Sequence, residues 1–330
     1  MNKSRLLTGA LIVVLVLLAG GSCLVFGGNS LFGYANADKY TVGDTKITSA
    51  VENLEVNWTA GNVDIEYHAG TGVSLSETAN RETSEDEKFR WWLDGKTLRI
   101  QYAKPQLTVF NNLKKTLTVS LPEGIVLKNV DIDTTSANIS VPSMTADDIK
   151  FDTTSGDVNA VITAKKLFAS STSGDLNIRQ DSDISTASFS STSGNTAFTV
   201  PSAKKISMES TSGDISVTVS GTVEDIYLDS TSGSVKPDLA NADKAKFSST
   251  SGNITAILGS FTDLNIDVTS GDVTLKLPET TGFTLDLDAR PGRLNSSLAM
   301  VKKDDDKYVF GDGSARLRID TTTGNIRIDH

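Results

Sequence analysis

Seven times between residues 153 and 273 the chain writes almost the same turn. The copies are TTSGDV from Thr153, STSGDL from Ser171, STSGNT from Ser191, STSGDI from Ser210, STSGSV from Ser230, STSGNI from Ser249 and VTSGDV from Val268. Their glycines are Gly156, Gly174, Gly194, Gly213, Gly233, Gly252 and Gly271. Successive copies lie about 19 residues apart, and a near-constant period of this length means stacked supersecondary units. Between the turns apolar and polar residues alternate with period two, the signature of strands. The expected fold is all-β: a single-chain parallel β-solenoid (β-helix) with coils of about 19 residues.

Counting each repeated glycine as zero gives four apolar columns. Plus two holds Val158, Leu176, Thr196, Ile215, Val235, Ile254 and Val273; plus four holds Ala160, Ile178, Phe198, Val217, Pro237, Ala256 and Leu275. Minus five holds Phe151, Ala169, Phe189, Met208, Leu228, Phe247 and Ile266; minus seven holds Ile149, Leu167, Ala187, Ile206, Ile226, Ala245 and Leu264. These are the expected inward stacks of two walls per coil, with large and small residues mixed so that coils interdigitate. The glycine is expected to take positive φ, which only glycine adopts cheaply. Parity places the serine at minus one inward, and Asp, Asn or Ser at plus one is turn chemistry. Outward at minus eight stand Asp148, Lys166, Thr186, Lys205, Asp225, Lys244 and Asp263, whose signs partly alternate as register-setting surface pairs do.

One outward column is threonine in all seven coils: Thr154, Thr172, Thr192, Thr211, Thr231, Thr250 and Thr269. Such a row is a β-branched ladder that stiffens a flat face, or a recognition face for a repetitive ligand such as a glycan. With both neighbours of each threonine read as inward, the row stands alone, which disfavours ice binding. These seven threonines are the candidate ligand-binding residues. No catalytic residue, metal ligand or cofactor is expected.

The flanks are less regular. Thr59-Ala60-Gly61-Asn62-Val63-Asp64-Ile65 resembles the turn, and the interval from Gly61 to Ala137 equals four periods of the repeat. Arg81 to Arg90 reads as a charged, solvated insertion. Trp91 and Trp92 are adjacent, so one is expected in the core and the other partly exposed, capping the N-terminal end. The interval from Gly271 to Gly324 is not a whole number of periods, with Arg290 to Lys307 as a looser excursion. The expected layout is a signal anchor over 1–27, a tether over 28–44 and a solenoid over 45–330. Within the solenoid, 45–130 and 276–330 are irregular coils and caps, and 131–275 is regular.

Lys3 and Arg5 precede an uncharged run from Leu6 to Phe26, about 31 Å as a helix and enough to cross a bilayer. The basic residues keep the N-terminus in the cytoplasm and place the rest outside. An uncleaved anchor through residues 6–26 fits the length best. A signal peptide cleaved at Ala35-Asn36-Ala37 and a lipoprotein using Cys23 stay open, although Gly20-Gly21-Ser22 lacks the leucine a lipoprotein would carry. The formal net charge of −10 disfavours nucleic acid. With Cys23 the single cysteine, an intrachain disulfide is excluded.

The layout resembles the putative-adhesin family of bacterial extracytoplasmic β-solenoids, which includes LiaG-like cell-envelope stress proteins. The resemblance is carried by Leu54-Glu55-Val56, Gly61-Asn62-Val63-Asp64-Ile65 and Leu98-Arg99-Ile100. It continues through Leu117-Thr118-Val119-Ser120-Leu121-Pro122, the TSGD/TSGN ladder and Thr322-Thr323-Gly324-Asn325-Ile326-Arg327-Ile328. It implies a β-solenoid held at the surface of a Gram-positive bacterium, with a link to envelope stress. The functional expectation is a non-enzymatic binding or scaffold module whose partner is a cell-envelope component or membrane protein. An adhesin-like glycan binder is the alternative. A polysaccharide-active enzyme would need clustered carboxylates beside an Arg, Lys or His, whereas the acids here are spread along turns and ladders. A calcium solenoid would need the GGxGxD nonapeptide, which is missing.

Overall fold

The computed structural model describes residues 34–105, 112–289 and 293–330. Among the described residues, every regular element is a strand apart from one short 3-10 turn at Ala37–Lys39. The described chain forms two compact units. One runs up to Ala160 and includes Ser171–Gly174; the other joins Val161–Ser170 to Asp175–His330. Each is built largely of parallel coils.

In the second unit the repeat behaves as read. Ile215–Ser230 pairs in parallel with Val235–Ser249, with Ile215 opposite Val235, Val217 opposite Pro237, Ile226 opposite Ala245 and Leu228 opposite Phe247. Val235–Ser249 pairs in the same way with Ile254–Ser270. The members of the four apolar columns are buried in both units. Fully burying one such side chain contributes about 1.5–3 kcal/mol, so the columns are the source of stability.

The irregular flanks have a simpler logic than their spacing implies. In the first unit Asn53–His68 lies directly against Leu127–Thr153, with Gly61 opposite Ala137. That interval is therefore one step of the stack, not four. The described strands between fold onto the other side of Asn53–His68. Thr97–Gln101 pairs with its first half and Lys115–Pro122 with its second. Antiparallel strands then close that side: Arg90–Asp94 on Thr97–Gln101, and Val73–Ala79 on Lys115–Pro122. In the second unit the interval from Gly271 to Gly324 is likewise one step. Ala315–Thr323 pairs with Ile254–Ser270, and Ile326–Asp329 with Val273–Lys276. The excursion Phe283–Ala289 packs outside that last coil, covered by the antiparallel strand Lys307–Phe310. Irregular strands thus stand where an open parallel edge would otherwise invite pairing.

The segment expected as a tether is docked from Tyr34 onward. The Tyr34 hydroxyl donates to Ala103 O at 3.1 Å, its ring packs on Tyr40, and Tyr40 packs on Trp92. Thr41–Val42 adds a short antiparallel strand to Arg90–Asp94. Trp91 and Trp92 are both half-buried, so neither is the core tryptophan; that is Trp58, 2% exposed. The charged insertion is pinned by Phe89, fully buried, and by an Arg81–Glu87 ion pair of 2.6 Å. The anchor run Leu6–Phe26 and Cys23 lie outside the described residues. Among the described residues no helix is long and apolar enough to cross a membrane.

Candidate functional site: an outward hydroxyl corner

The corner glycines do not take positive φ. Among the repeated seven only Gly271 does, at 158°, nearly extended. Their requirement is steric. A Cβ on Gly213 would lie 2.0 Å from Gly194 O, one on Gly233 2.0 Å from Gly213 O, and one on Gly252 2.0 Å from Gly233 O. At this corner a side chain would point along the stack into the backbone of the preceding coil.

The inward hydroxyl is also not the expected one. Serine at minus one is exposed: Ser155, Ser173, Ser193, Ser212, Ser232, Ser251 and Ser270. The buried position is minus three, held by Thr153, Ser171, Ser191, Ser210, Ser230 and Ser249, with Val268 in the last coil. In five of these six coils the hydroxyl closes the turn, whereas Ser171 Oγ is buried without a hydrogen-bond partner among the described residues. Ser210, Ser230 and Ser249 accept the N–H of Gly213, Gly233 and Gly252 at 2.9, 2.9 and 2.8 Å. Thr153 does the same for Gly156 at 2.8 Å, and Ser191 instead donates to Gly194 O at 2.6 Å. The signal was present in the sequence, since the first hydroxyl of each STSG is as regular as the second. Simple alternation hid it, because two successive residues, minus two and minus one, both face out.

The plus-one residues have an interlocking role. Asp175 Oδ1 accepts the N–H of Asn195 at 2.7 Å, Asn195 that of Asp214 at 3.0 Å, and Asp214 that of Ser234 at 2.8 Å. Asn253 accepts from Asp272 at 2.8 Å. Each short polar side chain thus satisfies an amide of the next coil that the turn has removed from the strand ladder.

In each unit the candidate threonines therefore stand on a corner two residues wide. Thr154 and Thr172 in the first unit are half-buried. In the second unit Thr192 and Thr211 are half-buried, and Thr231, Thr250 and Thr269 are exposed. Their backbone is satisfied along the stack: Thr211 N–H donates to Ser191 O at 3.0 Å and Ser212 N–H to Thr192 O at 2.9 Å. Among the described residues, the hydroxyls of Thr192, Thr211, Thr231 and Thr250 make no hydrogen bond to protein. Each unit thus presents paired Thr and Ser hydroxyls repeating every ~4.8 Å.

The minus-eight column is a surface ladder. Lys205, Asp225, Lys244, Asp263 and Arg316 follow one another in register, alternating in sign. Exposed pairs of this kind contribute about 0–1 kcal/mol each. Glu209 and Asp229 are also stacked in register, and burial, with Asp229 adding, raises the pKa of Glu209. Ser248 donates to Asp229. Both acids sit on a strand wall. His68 is spent on its own turn, accepting from Gly70 N–H at 2.9 Å through Nδ1 and reaching Gly72 O through Nε2. Among the described residues no group of three His, Cys, Asp or Glu side chains is placed to hold a metal ion.

The most unusual chemistry lies at the capped end of the first unit. Lys115 aligns with Gly61 and so occupies the corner-glycine column of the neighbouring coil. Its side chain is wholly buried. The ammonium pairs with Glu77 at 2.8 Å and donates to the carbonyls of Glu87, at 2.6 Å, and Tyr102. It also lies 5.0 Å from the Trp58 ring centre and 4.2 Å from that of Tyr102. Burial lowers its pKa, with Glu77 opposing. All three ammonium donors are used, so Lys115 is a structural pin for the capping segments.

A stack of parallel coils with a repeated polar corner defines an all-β, solenoid-like class. The chain belongs to the family described as Toastrack DUF4097, whose model matches residues 51–263. Among solved structures it is similar to a putative adhesin from Bacteroides fragilis NCTC 9343. That likeness has 16% identity over 73% of this chain and 97% of that one, with a TM-score of 0.42. It is also similar to a putative cell adhesion protein from Clostridium sporogenes ATCC 15579. There the identity is 13% over 88% of this chain and 99% of that one, with a TM-score of 0.21. No curated protein matches the chain.

Proposed function

We propose that the chain is a non-enzymatic binding and scaffold module at the cell envelope, held to the membrane by Leu6–Phe26. The observation that carries this reading is the corner itself. Thr192, Thr211, Thr231 and Thr250 present hydroxyls without protein partners among the described residues, on a backbone whose own hydrogen bonds are already made. A stacked-coil surface offers many equivalent contacts and no obligatory pocket. Its natural ligand is an extended, hydroxyl-rich polymer or the repetitive face of another envelope component. The family resemblance adds envelope stress as the setting. Under that reading the scaffold holds its partner more often when the envelope is damaged.

The test is site-specific photo-crosslinking on intact cells, with the crosslinker at Thr192 or Thr231, with and without an envelope-directed antibiotic. Capture of a defined envelope component, stronger under antibiotic, is the expected result. No captured component at either position overturns the reading. Turnover of a wall glycan by the purified chain would replace it with an enzymatic one, and Glu209 and Asp229 would then be the first acids to mutate.

A further inference from the structure

At the capped end of the first unit the corner becomes concave. A groove of about 540 Å³ opens there, lined among others by Asn62, Thr78, Asn80, Lys114, Thr116 and Ser136. The coil register explains its chemistry. Lys115 aligns with Gly61, so Lys114 stands in the minus-one row, which is serine in all seven regular coils. Thr116 stands in the plus-one row, opposite Asn62. The strand Val73–Ala79 forms the wall, with Thr78 opposite Thr116 and Ala79 opposite Lys115.

The groove is a donor site. Lys114 is exposed, and among the described residues its ammonium has no carboxylate partner, unlike the buried ammonium of Lys115, the next residue. Asn80 fixes the backbone beneath it, its Oδ1 accepting Lys114 N–H at 3.1 Å and its Nδ2 donating to Asn112 O at 3.0 Å. Thr116 Oγ1 accepts from Asn62 Nδ2 at 3.1 Å, which leaves the Thr116 O–H to donate. The hydroxyls of Thr78 and Ser136 have no protein partner among the described residues. None of the lining residues is acidic, in a chain whose net charge is −10. A lining with an ammonium lacking a carboxylate partner, three hydroxyl side chains and no acidic residue complements an anion.

We propose that this groove is an anion-binding subsite of the first unit, in which Lys114 takes a carboxylate or phosphate carried by a hydroxyl-rich ligand. The inference rests on the binding reading above and sharpens it. Hydroxyl corners supply repeated neutral contacts, and the groove of the first unit supplies a cation that recognises a charged substituent.

Full-length protein in nonionic detergent is titrated with oligogalacturonate, inorganic polyphosphate and a neutral cello-oligosaccharide. At least one polyanion binds, and more weakly as salt rises. Lys114→Ala weakens it about tenfold, the loss expected for one charge-assisted contact. Lys114→Arg retains most of the binding, and Lys303→Ala, an exposed lysine of the second unit, leaves it unchanged. Which polyanion responds to Lys114→Ala tells carboxylate from phosphate. If neither polyanion binds at millimolar concentration, or binding ignores Lys114→Ala, the subsite is overturned. Should the neutral oligosaccharide then bind through Thr192 and Thr231, the corner reading survives without the subsite.

Discussion

One position of the coil has opposite occupants in two places. In the regular corners of the second unit it is glycine, where a Cβ on Gly213 would meet Gly194 O at 2.0 Å. At the capped end of the first unit it is Lys115, with a long charged side chain fully buried. The difference is the neighbour. A side chain in this column points toward the preceding coil, and a Cβ on Gly61 would lie 2.1 Å from Lys115 O. In the coil of Lys115 itself that direction holds the antiparallel strand Val73–Ala79 and the segments around Glu87 and Tyr102 instead of another corner. Ala137 is the intermediate case. It is the corner residue that keeps a Cβ, and the glycine opposite it, Gly61, has φ of 111°. The consensus of a repeat is thus dictated by what lies next to each coil, and it lapses where the next coil is missing.

The largest expected effect breaks the Lys115 side of this comparison. Glu77→Ala strands a buried ammonium and removes the acceptor for Phe89 N–H, and should cost about 3–5 kcal/mol in urea unfolding. Lys115→Met, which removes the charge and keeps the volume, should cost less than Glu77→Ala and restore stability in the Glu77→Ala background. If the double variant is as weak as Glu77→Ala alone, the lysine is not a pin for that end. On the glycine side, Ser210→Ala removes the acceptor of Gly213 N–H and should cost about 1 kcal/mol. Ser212→Ala, two residues away and exposed, should cost almost nothing. Equal costs at the two serines would restore the inward reading of minus one.

A smaller effect concerns acid. Lys128 and Lys96 hold Glu52 down at about 2, and Arg81 and the Ser84 amide hold Glu87 at about 2, against an ordinary 4.5. Both folded values lie below the unfolded one. Their stabilisation is therefore complete above pH 4.5 and is lost as pH falls toward 2. The urea midpoint should decline across that window, and Glu52→Gln with Glu87→Gln should flatten the decline. An unchanged slope would show that these surface pairs contribute nothing.

Much of the fold could be read from the chain, because a fixed short period and four apolar columns leave few architectures. Spacing alone places Phe151, Met208 and Leu264 inward, and they are buried. The corner was harder. Alternation cannot reveal that two successive residues face out, so it assigns Ser212 the role that Ser210 performs. Spacing also equates sequence distance with stack distance, which fails where the chain leaves the stack and returns: Gly61 and Ala137 are far apart along the chain yet opposite each other. Lys115 was invisible for a related reason. Its pairing depends on Glu77, Tyr102 and Trp58, brought together only by the capping strands. The threonine row was visible, but the adjacent serine row that widens it was not.

The central claim is that the corner glycines answer to sterics from the preceding coil and not to backbone dihedrals. It is tested most directly by urea unfolding of Gly213→Asn beside Gly95→Asn. Gly95 has φ of 62° with open space around its missing Cβ. Asparagine tolerates that conformation, so Gly95→Asn should cost about 1 kcal/mol or less. Gly213→Asn should cost about 3 kcal/mol or more, with Gly213→Ala no better, because any Cβ must displace the Gly194 backbone. If asparagine is tolerated at Gly213 and alanine is not, the requirement is dihedral and the steric account fails.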